Sequence, residues 1–346
     1  MTLTINVLEE KYYNFLSDHP DDIKFSLASS IDELLNKTGP VLLTHSLLIE
    51  HLDKIYANRN NAYILYMPLE GTNTVNNVLK EFWDSNNYRM PFVISSGDFN
   101  GSITHINIDA FKTILGRTSD DLLLKDWETC NNIFTKTKKP FLFNFLNGVS
   151  RSHRTELIRL LENKGILNLG LWTALYNKKF LPAEYQFEFE EKNIENGQYI
   201  NNGWPAGIIH PPIYEDTYFS VVCETNFEIP NSYRTEKIYK PLKIGHPFIA
   251  VSSYGFYKDL HNMGFKTFGN LIDESFDTID DNHLRLVRIA DVIESLCKSN
   301  LVDFLTAAES ICRHNRAVML ETLNPRDDKT LLSQFMEKFN WYAKTK

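Results

Sequence analysis

Short apolar runs rich in β-branched and aromatic residues alternate along this chain with longer stretches whose apolar positions recur at helical spacing. A strand buried on both faces reads as an unbroken apolar run and a crossover helix as an amphipathic one, so the alternation predicts parallel βαβ construction and an α/β class. In the first half it places strands at 41–44, 62–67 and 92–95, with helices over 31–37, 46–56 and 75–86. The signal fades after Asp98, and from 118 to 139 the chain turns polar and charged, closing on Lys136, Lys138, Lys139 and Pro140. That stretch reads as a linker, which gives a first domain over 1–138 and a second over 139–325.

The second domain opens with a strand at 141–146, a turn at Asn147-Gly148 and a helix over 154–163 that stops at Gly165. Strands at 218–223 and 247–251 and long helices over 283–298 and 301–320 follow. Between 178 and 212 neither period holds, and Trp204-Pro205 and Pro211-Pro212 mark an irregular insertion lying on the surface or over a site. Residues 326–346, with apolar positions at helical spacing over 331–342, predict a terminal helix docked on another element.

Composition narrows the class. The 346 residues are 43% hydrophobic, enough for one large domain or two of ordinary size, and the net charge of −8 supplies no global field for nucleic acid or anionic lipid. A polyanionic partner would need a local basic groove. Cys130, Cys223, Cys297 and Cys312 form no CxxC pair, so neither a zinc knuckle nor a disulfide framework is expected, and reducing cytoplasm is the natural compartment. The N-terminus lacks the apolar core of a signal peptide, and no apolar run has the length that crosses a bilayer.

The most informative stretch runs from Tyr218 to Glu224 and on through Arg234, Thr235, Glu236 and Lys237 to Gly245-His246-Pro247. A strand there delivers Glu224 at its C-terminal end, where open α/β sheets bind ligands. Thr235 can cap a helix whose N–H groups and positive dipole end suit a diphosphate, with Arg234 and Lys237 adding charge and Glu236 matching ribose hydroxyls. The same residues fit an ordinary capped helix equally well: Thr235 as cap, Glu236 against the dipole, Lys237 in solvent.

A strand ending in Glu, then Thr-Glu-Lys, then a Gly-X-Pro strand resembles the donor-binding motif of the α-1,3-fucosyltransferase family. Upstream, the strand at 141–146 with Asn147, Arg151 and Arg154 ahead of a helix resembles that family's diphosphate-binding segment. The resemblance covers about 141 to 268 and implies a GT-B fold, with two Rossmann-like domains facing a central cleft, and inverting, metal-independent transfer from a nucleotide sugar. It implies donor contacts from Glu236 and Lys237 and a diphosphate contact from Arg151 or Arg154, with Asn147-Gly148 permitting close backbone approach. Pro241, inside the expected helix, departs from the pattern and predicts a kink. Fucose itself is not implied, and the C-terminal pattern is similar to glycosyltransferases carried by bacteriophages.

Inverting transfer needs a base on the acceptor side, for which Asp98, just after the strand at 92–95, is the first candidate and Glu70 the second. The expected acceptor is a hydroxyl, with hydroxymethylated pyrimidine in phage DNA preferred and Arg89, Lys136, Lys138, Lys139, Lys178 and Lys179 available to line a cleft. A surface or lipid-linked glycan is the alternative acceptor, and a non-catalytic nucleotide-sugar-binding module the alternative function. The acidic run Asp273, Glu274, Asp277, Asp280 and Asp281 reads as helix-start chemistry rather than a metal site, so no metal is expected. His153 and His210 read as phosphate contacts or as hydrogen-bonded structural residues.

Overall fold

The computed structural model describes residues 3–8, 23–44, 47, 50–57, 63–67, 92–95, 105–107, 129–186, 194–195, 198–199, 209–228 and 234–322. The chain divides into two compact units, one of 1–109 with 325–346 and the other of 110–324.

In the first unit, β1 (Leu3–Val7), β2 (Ile23–Leu27), β3 (Val41–Thr44), β4 (Tyr63–Met67), β5 (Phe92–Ser95) and β6 (His105–Asn107) pair in the order β2-β1-β3-β4-β5-β6. All these pairings are parallel. Helix α1 (Ile31–Asn36) joins β2 to β3; Ser30 caps it by accepting from the Glu33 N–H, while Glu33 reaches back to the Ser29 N–H at 2.8 Å. Ile5, Val7, Leu34, Val41, Leu42 and Leu43 are wholly buried, and Ile55 of α2 (Leu52–Ala57) joins that apolar set. Asn6 donates its amide to Thr38 and Pro40 carbonyls and so ties β1 to the entry of β3. Strand order reverses between β1 and β3, as in doubly wound sheets.

In the second unit, α3 (Thr129–Thr135) leads to β7 (Phe141–Phe145), α4 (Ser152–Asn163) and β8 (Leu171–Trp172). The short antiparallel pair β9 (Ile194–Glu195) and β10 (Gln198–Tyr199) precedes α5 (Pro211–Glu215), β11 (Thr217–Cys223), α6 (Glu236–Ile244) and β12 (Phe248–Val251). Helices α7 (Phe256–Asn262), α8 (Asn282–Cys297) and α9 (Leu301–Thr322) complete it. The sheet is parallel, in the order β12-β11-β7-β8. Every residue of β11 and β12 is buried, which is why both read as largely apolar runs, broken in β11 only by Thr217 and Ser220. Asn144 donates to the Thr217 and Ser220 hydroxyls, and Ser220 bonds His246 at 2.9 Å, so a polar network inside the core fixes the register of β7 on β11.

From β7 the chain crosses over through α4 to β8 on one side, and from β11 it crosses through α6 to β12 on the other. Right-handed crossovers in opposite directions put the two helices on opposite faces of the sheet. Accordingly α4 packs on α8 and α6 on α9. Strand order therefore reverses between β7 and β11, and their C-terminal ends flank a crevice of the kind where open α/β sheets bind ligands.

Several expectations are modified. The stretch read as a linker contains α3, which packs on α5 and α9 of the second unit, and the division between units falls at 109/110 where the sequence reading set 138/139. Strands β1, β2 and β6 were not predicted, and the irregular stretch 178–212 includes β9, β10 and the start of α5. Helix α6 runs on through Pro241 to a left-handed Gly245 at φ 72°. The predicted helices at 75–86 and 331–342 lie outside the described residues. Among the described residues no helix is long and apolar enough to cross a membrane.

Candidate functional site

The sequence dictates what stands at the crevice, because each strand of the second sheet hands over from an apolar run to polar residues at its C-terminal end. After β7 comes Asn147, after β8 Thr173, after β11 Glu224, Thr225 and Asn226, and after β12 Ser252 and Ser253, all of them buried. The register that sets Asn144 opposite Ser220 carries on to bring Asn147 level with Cys223.

Glu224 is fully buried and holds the start of α6. Its Oε1 accepts from the Thr235 N–H at 3.1 Å and the Ile238 N–H at 3.2 Å, and its Oε2 accepts from the Thr235 hydroxyl at 2.5 Å. The carboxylate expected to shape a donor pocket serves here as a cap for the helix. Burial pushes its pKa up, while the Lys237 ammonium and the Thr235 bonds pull it down. Thr235 is the N-cap that the sequence suggested, accepting from the Lys237 N–H at 3.3 Å. Lys237 turns back over this cap: its Nζ lies 3.2 Å from Thr235 Oγ1, 3.5 Å from Thr225 Oγ1 and 2.8 Å from the carboxylate of Glu236.

Arg234 departs from its expected place. It is buried, donates from Nε to the Tyr239 hydroxyl at 3.2 Å and faces Asp259 at 3.9 Å, so its charge is directed into α6 and α7.

Across the crevice, α4 begins at Arg151, which occupies the N-cap with no side-chain cap bond and no acidic residue in the first turn. Instead the turn carries Arg154, against the preference of a helix dipole. Arg154 is buried, with Nη1 on the Val149 carbonyl at 3.0 Å and Nη2 on the carbonyls of Cys223 and Glu224 at 3.2 and 3.3 Å. His153 bonds the same Glu224 carbonyl at 3.0 Å and stacks on Phe227, and burial beside Arg154 pushes it down to about 4, so the ring is neutral at pH 7. His153 is thus bonded and stacked within the protein framework. Of the two arginines, Arg154 is committed to the framework and Arg151 is the half-buried one nearer solvent.

The structure thus brings Arg154 and Lys237 to the consecutive residues Glu224 and Thr225 at one strand end, although about eighty positions separate them in sequence. Sequence reasoning missed Asn226, whose buried amide nitrogen has no partner, and Arg285 of α8, whose guanidinium donates to the Phe227 carbonyl at 2.6 Å and the Ser252 carbonyl at 3.2 Å. Polar residues following apolar strands were the available signal for Asn226. None marked Arg285.

The remaining expectations fall elsewhere. Asp98, Glu70 and Arg89 lie outside the described residues. The basic residues proposed to line a cleft do not gather: Lys136 pairs with Asp216 and Lys139 bonds the Glu215 carbonyl before β11, at the N-terminal edge, whereas Lys178 and Lys179 follow β8 at the other edge. His210 caps α5 ahead of β11, on the edge away from the crevice. Asp273, Glu274, Asp277 and Asp281 accept from the N–H groups of Ser275, Phe268, Tyr257 and Leu284, which makes them turn and helix caps. Among the described residues no cluster has the makings of a metal site.

Comparison with family models, with curated proteins and with solved structures finds no match to this chain.

Proposed function

We propose that this chain is a glycosyltransferase of the GT-B class that holds a nucleotide-diphosphate sugar at the crevice between β7 and β11. The single observation that supports the reading most is the meeting of Arg154 and Lys237 on Glu224 and Thr225, at the point where strand order reverses. Two helices begin there, one of them with basic residues in its first turn, where Ser152 also donates to the Glu228 carboxylate at 2.8 Å, so the start of α4 is a place that accommodates an anion. Arg151 and Lys237 supply direct diphosphate contacts, and Arg154 adds charge while fixing the loops. Charge stabilisation of the departing diphosphate would then carry much of the catalysis. The acceptor is a hydroxyl compound. Because the described basic residues fall at both edges of the sheet, nothing on this unit favours DNA over a glycan.

The test is a thermal-shift panel of UDP, GDP, UDP-glucose, UDP-N-acetylglucosamine and GDP-mannose, since a ligand that binds only the native state raises its melting temperature. At least one nucleotide should raise Tm, and Arg151→Met and Lys237→Met should each weaken its binding about tenfold or more, the loss expected for a charge-assisted contact. A panel with no shift at millimolar ligand would defeat the proposal.

A further inference from the structure

Two buried side-chain amides at the crevice have polar atoms without a partner among the described residues. The side chain of Asn147, 1% exposed, has neither its amide nitrogen nor its oxygen bonded, and the amide nitrogen of Asn226, 9% exposed, donates to nothing. The backbones of both residues are by contrast well anchored. Thr173 Oγ1 accepts from the Asn147 N–H at 2.8 Å and donates to its carbonyl at 3.2 Å, while the Asn226 carbonyl accepts from the Ser252 hydroxyl at 3.4 Å. The two residues are thus fixed in place, on neighbouring strand ends, with their amide groups left over.

An unbonded buried polar group opposes folding, and a fold keeps one where function requires it. We infer that Asn147 and Asn226 form a neutral subsite for the hydroxyl groups of the sugar that the donor carries beyond its nucleoside diphosphate, an inference that rests on the reading proposed above. The chemistry separates this subsite from the cationic one beside it. A carboxamide offers a donor and an acceptor together, which suits hydroxyls that also do both, whereas the diphosphate accepts only and is served by Arg151 and Lys237. The subsite therefore selects the transferred sugar and contributes little to the binding of UDP or GDP alone. Because the amide atoms are closed to solvent, the hydroxyls reach them only as the turns after β7 and β11 part around the ligand.

Asn147→Leu and Asn226→Ala separate this role from a structural one. If Asn147 awaits a ligand, replacing it by an apolar group of similar size relieves an unbonded amide, so Asn147→Leu should raise Tm by about 2 to 4 °C. In the same variant, affinity for UDP-glucose, UDP-N-acetylglucosamine or GDP-mannose, whichever the wild type binds, should fall about tenfold while UDP or GDP binds unchanged. Asn226→Ala should show the same split in affinity. An Asn147→Leu protein that is less stable than wild type, or that does not fold, overturns the inference by showing that an internal water or neighbour already bonds the amide. Equal losses for the sugar nucleotide and the bare diphosphate, or no loss in either, overturn it while leaving the glycosyltransferase reading intact. A wild type that binds none of these compounds overturns both.

Discussion

A carboxylate that accepts three hydrogen bonds from one helix start carries more of the fold than of any ligand contact, and Glu224 is in that position. Glu224→Ala would leave the Thr235 and Ile238 N–H groups buried without an acceptor and remove the negative charge at the positive end of α6. The expected loss is about 3 kcal/mol, summing a lost cap and one unsatisfied donor, and urea unfolding measures it. Glu224→Gln keeps one oxygen to accept from the backbone and can turn its amide toward the Thr235 hydroxyl, so it should cost about 1 kcal/mol. A Glu224→Ala variant within about 0.5 kcal/mol of wild type, the range of an ordinary surface change, would return this carboxylate to the list of ligand contacts.

Between elements, the C-terminal ends of β11 and β12 are held by a cation that no motif announces. Arg285 of α8 is 1% exposed, bonds the carbonyls of Phe227, Ser252, Ile279 and Asp280 and the side chain of Asn282, and lies 4.4 Å over the Phe227 ring. Phe227 in turn stacks on His153 of α4, with ring centroids 5.1 Å apart. Arg285→Met should free Phe227 and admit water to His153, moving its titration from about 4 toward the ordinary 6.5, as followed by the ring proton resonances. An unmoved His153 in a folded variant would show that Arg285 does not position this loop. Such a link was invisible in the sequence, where Arg285 occupies one position of an amphipathic helix and reads as a solvated side chain. What was legible depended on length and burial. Strands β3, β7, β11 and β12 are mostly apolar, with only Thr44, Asn144, Thr217 and Ser220 polar among them, and were placed within a residue or two, as were α4, α8 and α9. Strand β1, with Thr4 and Asn6, and β2, with Lys24 and Ser26, break the run with polar residues, and β6 has three residues, too few for a period to show. At the site, Thr235 was legible because a cap has a fixed relation to the helix it starts; the spare amide of Asn226 was not, because a lone Asn after a strand reads as a turn.

Over the molecule as a whole, the buried titrating groups of the second unit predict how stability varies with pH. His153 and His246 are pushed by burial down to about 4 and about 3, from an ordinary 6.5. Between those values and 6.5 the unfolded chain binds more protons than the native one, so stability is fully present above 6.5 and is lost as pH falls. Each group contributes a slope of at most about 1.4 kcal/mol per pH unit. Glu274, half-buried between the Thr267 hydroxyl and the Phe268 N–H, is pushed by burial up to about 7, and Asp277 moves upward for the same reason. Here the native state holds the extra proton, so stability is present below the ordinary carboxylate range and declines as pH rises through about 7. From 4.5 to 6.5 the two histidines outweigh Glu274; above 6.5 they are silent and the carboxyl acts alone. Maximal stability is therefore expected near pH 6.5, read as the midpoint of urea unfolding between pH 4 and 7.5. Glu274→Gln should remove much of the decline between 6.5 and 7.5 and steepen the acid limb between 4.5 and 6.5, whereas His246→Asn should flatten the acid limb alone. An acid limb as steep in His246→Asn as in wild type would show that His246 does not set it.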